Sequence, residues 1–159
     1  MANGGIIGPI QEASETSLSA KVSTFNSSGT FTAQATANVD YLVVAGGGSG
    51  GSFRGGGGGA GGYRASGFGP SPLRGSAIPV VGGTGYSVTI GAGGAGVTGT
   101  TPTDNPGLPK GNNGSNSIFS TITSTGGGAG GAQQNPFPSN MTGNAGGSGG
   151  GGSATNPGG

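Results

Sequence analysis

Apolar and polar residues alternate along residues 21–45, and this period of two predicts β-strands. The alternating apolar positions are Phe25, Phe31, Ala33, Ala35, Ala37, Val39 and Tyr41. Asparagine, serine and glycine at residues 26–29 are typical of a turn, so we expect a hairpin between Phe25 and Phe31. Residues 39–45 end in a continuous apolar run, which predicts a central strand covered on both faces.

Later segments of the chain have the same character. Residues 86–90 and 117–123 are rich in β-branched and aromatic side chains, and each is predicted to form a strand. Residues 77–81 form a further candidate. Pro79 restricts that strand to the edge of a sheet, because proline has no amide hydrogen to donate.

The first 20 residues differ in composition from the rest of the chain, which predicts two domains. Residues 1–20 become polar after a short apolar start and favour an extended N-terminal arm over a weak helix. Residues 21–159 contain all the predicted strands and are expected to form one antiparallel β-sandwich. The predicted fold class is therefore mainly β.

Glycine accounts for 44 of the 159 residues, and only four of these glycines lie before residue 46. The glycine tracts occupy residues 46–62, 82–99, 126–131 and 143–159, between and after the predicted strands. Flexible linkers are one interpretation, since glycine-rich chains are normally random coils. The other is an ordered, polyglycine-II-like connection with about three residues per turn, whose outward amides bond to neighbouring segments. The residues alone leave both interpretations open.

Charge and catalytic chemistry are scarce in this chain. It has five Lys or Arg residues, four Asp or Glu residues, a net charge of +1, no histidine and no cysteine. The basic residues are scattered, so neither a nucleic-acid partner nor a membrane partner is expected. The carboxylates, Glu12, Glu15, Asp40 and Asp104, form no cluster suited to acid–base catalysis or metal binding. We therefore predict a protein that is not an enzyme, with no cofactor, metal or catalytic residue.

Two motifs have alternative interpretations. Residues 46–51 match the G-x-G-x-x-G dinucleotide pattern, but no acidic residue follows at the required distance, and glycine abundance produces this match by chance. Phe53-Arg54 and Tyr63-Arg64 resemble the Arg-Gly-Gly segments of RNA-binding tails, which makes a flexible RNA-binding segment one alternative. They are also explained as caps, in which arginine donates to free carbonyls at the end of a glycine tract.

Several motifs, taken in order, resemble a known family. They are GTFT at 29–32, VDYLVVAGGG at 39–48, GAGGYR at 59–64 and YSVTIGAGG at 86–94. Together they resemble the glycine-rich domain of virion structural proteins and tail fibres of tailed bacteriophages, of the marine and cyanobacterial type. Residues 1–9 are similar to the start of structural proteins in the same phages. Family members typically end in an apolar strand, whereas this sequence ends in NPGG, so we expect either a fragment or a strand supplied by a neighbouring subunit.

The resemblance implies a non-enzymatic virion protein on the tail or capsid exterior. It would be a tail fibre, appendage or adhesin that displays an ordered, polyglycine-II-like domain for contact with a host polysaccharide or protein. A capsid decoration or head fibre is the alternative within this class. The resemblance also implies a homo-oligomer, with a trimer favoured, and an arm that binds other virion proteins.

Candidate contact residues follow from this interpretation. The predicted virion-anchoring residues are Ile6, Ile7, Pro9 and Ile10. The predicted receptor-contact residues are Tyr63, Arg64, Phe68, Arg74, Phe137 and Met141. Aromatic and arginine side chains are frequent in recognition surfaces. The alternative role for each contact residue is to fill the junction between strands and glycine segments.

Overall fold

The computed structural model describes residues 21–99, 108–133 and 141–153. This part of the chain contains nine short β-strands and no helix. The strands are β1 (Gly29–Thr32), β2 (Ala37–Val39), β3 (Leu42–Val44), β4 (Tyr63–Ser66), β5 (Arg74–Gly75), β6 (Ile78–Val80), β7 (Gly85–Thr89), β8 (Ser117–Phe119) and β9 (Ile122–Ser124). They form three sheets, so the predicted mainly β fold is confirmed. The stacking of these sheets as a sandwich stays a prediction.

The largest sheet has four antiparallel strands in the order β1-β7-β8-β9. Phe31 on β1 lies opposite Tyr86 on β7, with ring centroids 6.4 Å apart. The Phe31 ring also meets Phe119 on β8 edge-on, at 5.8 Å between centroids. Aromatic pairs across strands contribute about 0.2–1 kcal/mol each relative to alanine. These contacts explain why β1 pairs with a strand that lies far away in the sequence.

Two sequence predictions are wrong in this sheet. Residues 26–28 form a bend, and β1 pairs with β7 instead of forming a hairpin with the segment around Phe25. The single strand predicted for residues 117–123 is instead the hairpin of β8 and β9. This hairpin reverses at Ser120, whose φ of 53° is the left-handed conformation that tight hairpin turns require.

The two-stranded sheet pairs β2 with β6 in antiparallel register, and Pro79 lies opposite Asn38. Both strands of such a sheet are edge strands, so the predicted edge position of Pro79 is confirmed. The strand predicted at residues 86–90 is also confirmed, since β7 covers nearly the same residues.

The third sheet has the order β3-β4-β5, with β3 antiparallel and β5 parallel to β4. The single central strand predicted for residues 39–45 is wrong, because β2 and β3 divide this segment between two sheets. β3 is an edge strand, and its residues Leu42 and Val44 are 69% and 55% exposed, whereas Val43 between them is buried. The apolar run therefore has one covered face, and the other face is open to solvent.

The interior of the described part is built mostly from small residues. The buried apolar residues are Ala33, Val43, Ala45, Ala65, Val80, Val88, Leu108, Ala129, Ala132 and Met141. The largest fully buried side chains are only valine and serine, at Val80, Ser117 and Ser124. All residues from 126 to 132 are buried, and this stretch contains five glycines and two alanines. Backbone atoms therefore supply much of the interior.

Residues 126–131, here called the central segment, have every backbone carbonyl paired. The donor–acceptor pairs, written as N–H then C=O, are Gly147–Gly126, Gly114–Gly127, Gly59–Gly128, Asn144–Ala129, Gly111–Gly130 and Gly56–Gly131, at 2.8–2.9 Å. Three neighbouring segments donate in turn, and the order repeats after three residues. A period of about three residues is that of an extended left-handed helix with outward carbonyls.

The amides of the central segment follow the same period. The N–H groups of Gly127, Gly130, Gly128 and Gly131 donate to the carbonyls of Gly46, Ser49, Ser148 and Gly151, respectively, all at 2.9 Å. The two remaining amides, Gly126 and Ala129, donate to the side-chain Oδ1 atoms of Asn116 and Asn113 at 2.9 Å. Every N–H and C=O group of the central segment is therefore paired, as buried backbone requires.

Candidate functional site at the three-stranded sheet

Four of the predicted contact residues lie in or beside the third sheet. Tyr63 and Arg64 are on β4, Arg74 is on β5, and Phe68 is in the loop between these strands. Met141 is only 8% exposed, so its side chain does not belong to the surface of the described part. The predicted residues that lie outside the described residues are Ile6, Ile7, Pro9, Ile10 and Phe137.

One face of this sheet, here called the outer face, is apolar and exposed. Val44 lies opposite Tyr63 in the register of β3 and β4, and Leu42 shares their side because side chains alternate along a strand. Phe68, in the following loop, is 81% exposed. Gly69 packs against the Tyr63 hydroxyl, since a Cβ there would lie 3.0 Å from that oxygen. Exposed apolar surface of this kind is typical of contacts with partners.

The opposite face carries Arg64, whose guanidinium connects two elements. Its Nη1 atom donates to the carbonyl of Pro72, in the segment before β5. Its Nε atom donates to the carbonyl of Thr123 on β9 at 3.4 Å. β3 and β4 approach β9 on this side, so the arginine joins the third sheet to the four-stranded sheet. These acceptors belong to a loop and to β9 and not to the end of a glycine tract, so the cap interpretation of Tyr63-Arg64 stays a prediction.

A cleft of about 340 Å³ lies between these two elements. Its lining residues are Tyr41, Arg64, Pro72, Leu73, Arg74, Gly75, Thr121, Ile122 and Thr123. Arg64 donates to carbonyls of two lining residues, so its guanidinium is part of the wall. Arg74, which also lines the cleft, lies opposite Ala65 in the parallel register of β4 and β5. Among the described residues, Arg64 is the arginine whose guanidinium is hydrogen-bonded to the wall of the cleft.

The position of Tyr41 in the cleft is fixed by hydrogen bonds of its backbone and its neighbours. Its amide donates to the Oγ atom of buried Ser66 at 3.0 Å, and that hydroxyl donates to Oδ1 of Asp40 at 2.7 Å. The Tyr41 ring extends toward Gly75, where any side chain would overlap the phenol oxygen. Asp40 is the one acidic residue in the described ranges, and it does not line the cleft.

Sequence reasoning identified Arg64 and Arg74 as contact candidates but missed the other cleft residues. Tyr41, Leu73 and Ile122 come from three separate segments, and no local pattern links them. Only the parallel pairing of β4 with β5 and the approach of β9 bring them together.

Within residues 21–99, 108–133 and 141–153, no three His, Cys, Asp or Glu side chains are grouped so that they could hold a metal ion. That part of the chain also has no helix long and apolar enough to cross a membrane.

Comparison with known proteins assigns the chain to a family. No match was found among curated proteins or among solved structures. The sequence pattern of a family described as a glycine-rich domain matches residues 24–159, which is most of the chain. The match includes the central segment, the segments that bond to it and all nine strands. The protein therefore belongs to the glycine-rich domain family.

Proposed function

We propose that the chain is a non-enzymatic structural protein of a tailed-bacteriophage virion. In this proposal it is a tail fibre, appendage or adhesin that displays its glycine-rich domain on the particle exterior for contact with the host surface. Membership of the glycine-rich domain family supports the proposal. The phage assignment comes from four motifs whose order resembles that in phage virion proteins. These motifs are GTFT, VDYLVVAGGG, GAGGYR and YSVTIGAGG.

The observation that carries the proposal is the pairing of the central segment with its neighbours. Every N–H and C=O group from Gly126 to Gly131 has a partner, and the partners recur with a period of three. We infer that the glycine tracts pack as polyglycine-II-like connections beside a β-sandwich. Such a bundle needs no large apolar core, which agrees with an interior of alanine, valine and backbone. It would form a stiff support for display.

The outer face of the third sheet is the contact surface in this proposal. Tyr63, Phe68 and Arg74 belong to it or lie beside it, and all three are exposed. Aromatic and arginine side chains contribute more binding energy than most other residues. The partner would be a host-surface polysaccharide or protein. The predicted arm with Ile6, Ile7, Pro9 and Ile10 would bind other virion proteins, and the assembled form would be a homo-oligomer, with a trimer favoured.

A flexible RNA-binding segment is less well supported. Such a segment leaves its glycine backbone free for solvent, whereas the carbonyls and amides of these tracts bond to one another. The Arg54 guanidinium lies over the ring of Phe53, 5.3 Å from its centroid, so this motif already uses its own aromatic partner.

Virion localisation tests the proposal. Antibodies against the domain, coupled to gold, are expected to label intact particles in electron micrographs, on the tail for a fibre or on the capsid for a decoration protein. Particles assembled with a chain that lacks residues 2–10 are expected to lose this label, while the purified variant keeps the thermal unfolding of the full chain. Unlabelled particles would contradict the virion assignment, and normal labelling of the deletion variant would contradict the anchoring arm.

A further inference from the structure

The cleft beside the third sheet contains Arg64, a cation that has no ionic partner among the residues that the structure describes. No carboxylate in the described part pairs with Arg64, and the nearest acidic residue in sequence, Asp40, accepts a hydrogen bond from Ser66. The guanidinium has five N–H donors. Its bonds to the Pro72 and Thr123 carbonyls use two of them. Within the described residues, three donors and the positive charge of Arg64 therefore have no partner.

The rest of the lining combines hydroxyl groups with apolar surface. Tyr41, Thr121 and Thr123 carry hydroxyls, and Leu73 and Ile122 supply apolar area. The volume of about 340 Å³ lies near the lower end of the range for small-ligand sites, which is roughly 300–1,000 Å³. This lining is complementary to a small ligand that carries hydroxyls and one negative charge.

We propose that this cleft binds a sugar residue bearing a carboxylate, such as a hexuronic acid unit of a host-surface polysaccharide. The inference rests on the proposed function, since it names the chemistry recognised by a host-contact protein. Arg64 donates to the carboxylate in a charge-assisted pair, which is stronger than a neutral hydrogen bond. The hydroxyls of Tyr41 and Thr121 face the sugar hydroxyls, and Leu73 and Ile122 pack against the ring.

The arrangement of positive charge in the cleft favours this ligand over nucleic acid. A phosphate backbone is normally bound by several lysines and arginines along a groove. The described lining of the cleft has two arginines and no lysine, and only the Arg64 guanidinium is held by hydrogen bonds to described residues. One fixed cation matches one carboxylate on a compact ring.

Calorimetric titration of the full chain tests the inference with a galacturonic acid trisaccharide, the neutral galactose trisaccharide and acetate. The acidic trisaccharide is expected to bind at least tenfold more tightly than the other two, because only it offers both the carboxylate and the ring. Its affinity is expected to fall as salt is added, since the contact is ionic. Absence of binding by the acidic sugar, equal binding of the neutral sugar, or equal binding of acetate would each overturn the inference.

Two variants with charge-matched controls locate the site. Arg64→Gln is expected to weaken binding at least tenfold, whereas Arg54→Gln, which removes the same charge outside the cleft, should not change it. Thr121→Glu places a competing carboxylate in the exposed turn and should also weaken binding at least tenfold, while Thr89→Glu on β7 should not. Thr121→Glu leaves the backbone bonds of Arg64 in place, so it distinguishes lost binding from lost folding.

Unchanged affinity in both cleft variants would overturn the site. Such a failure is separable from that of the proposed function, because gold labelling of virions is read independently of sugar binding.

Discussion

Replacement of Gly128 by alanine is expected to lower the free energy of unfolding by about 3 kcal/mol, at the upper end of the cost of overpacking a core. A Cβ at this position would lie 2.8 Å from the carbonyl carbon of Asn144 and 2.9 Å from the amide nitrogen of Gly150, and closer still to the Asn144 oxygen. All these atoms belong to backbone, which cannot rotate away as a side chain can. The methyl group would separate Gly128 from the segments that it bonds to through its N–H and C=O groups.

Gly57 provides the matched control, since it lies in a glycine segment next to the centre but has nothing within 4 Å of a Cβ. Gly57→Ala should leave stability unchanged or raise it by up to about 1 kcal/mol, because alanine restricts the unfolded chain. Urea denaturation followed by circular dichroism measures both variants. Equal stability of Gly128→Ala and Gly57→Ala would mean that the segments are not packed as closely as described.

Asn113→Leu is expected to cost about 2 kcal/mol, within the range for leaving a buried donor unsatisfied. The Oδ1 atom of Asn113 accepts from the amide of Ala129, which is fully buried, and from Nδ2 of Asn144, both at 2.9 Å. Leucine has nearly the same size but offers no acceptor, so the buried amide of Ala129 loses its hydrogen-bond partner. The group that loses its acceptor is the Ala129 amide, in the middle of the central segment.

Asn113→Asp is the control for this prediction. Its carboxylate keeps an oxygen that accepts from the same two donors, so most of the stability should remain. The free energy of unfolding of the three proteins, measured by chemical denaturation in one buffer, gives the comparison. If the leucine variant were as stable as the aspartate variant, the Asn113 side chain would not be the hydrogen-bond acceptor that the Ala129 amide needs.

Local patterns predicted individual strands but not their partners. The residue types at 86–90 were enough to predict the strand β7. Pro79 was enough to predict an edge strand, because a proline has no amide hydrogen to donate wherever it lies. The partner of β1 depends on contacts of Phe31 with Tyr86 and Phe119, which are distant in sequence. The short β4 follows a glycine tract and β5 follows the loop of residues 67–73. Neither strand has a hydrophobic period of its own, so nothing local indicated them.

The arrangement of the glycine tracts was similarly only half predictable. Their length and spacing predicted either linkers or packed helices, and the period-three hydrogen bonds favour packing. Composition could not show which glycine tract is central. The central tract, residues 126–131, is shorter than the tract at residues 46–62, so length gave no indication of its position. Local sequence does not indicate the asparagine acceptors Asn113 and Asn116, because their spacing of three is meaningful only beside a segment whose hydrogen bonds recur with the same period.

The candidate site was predictable for the residues whose type alone suggests recognition. Aromatic and arginine side chains are frequent in recognition surfaces. This property indicates Tyr63, Arg64, Phe68 and Arg74, and the structure places all four in or beside the third sheet. The cleft that Arg64 lines could not be predicted, because its walls meet only through sheet pairing.

Amide hydrogen exchange of the central segment, measured residue by residue by NMR, tests the account most directly. The amides of Gly126 to Gly131 donate to protein acceptors inside the molecule, so they should exchange only through unfolding of the whole domain, as slowly as those of β7. Exchange at the rate of an unstructured glycine peptide, while β7 stays protected, would contradict the claim that laterally bonded glycine segments form the scaffold.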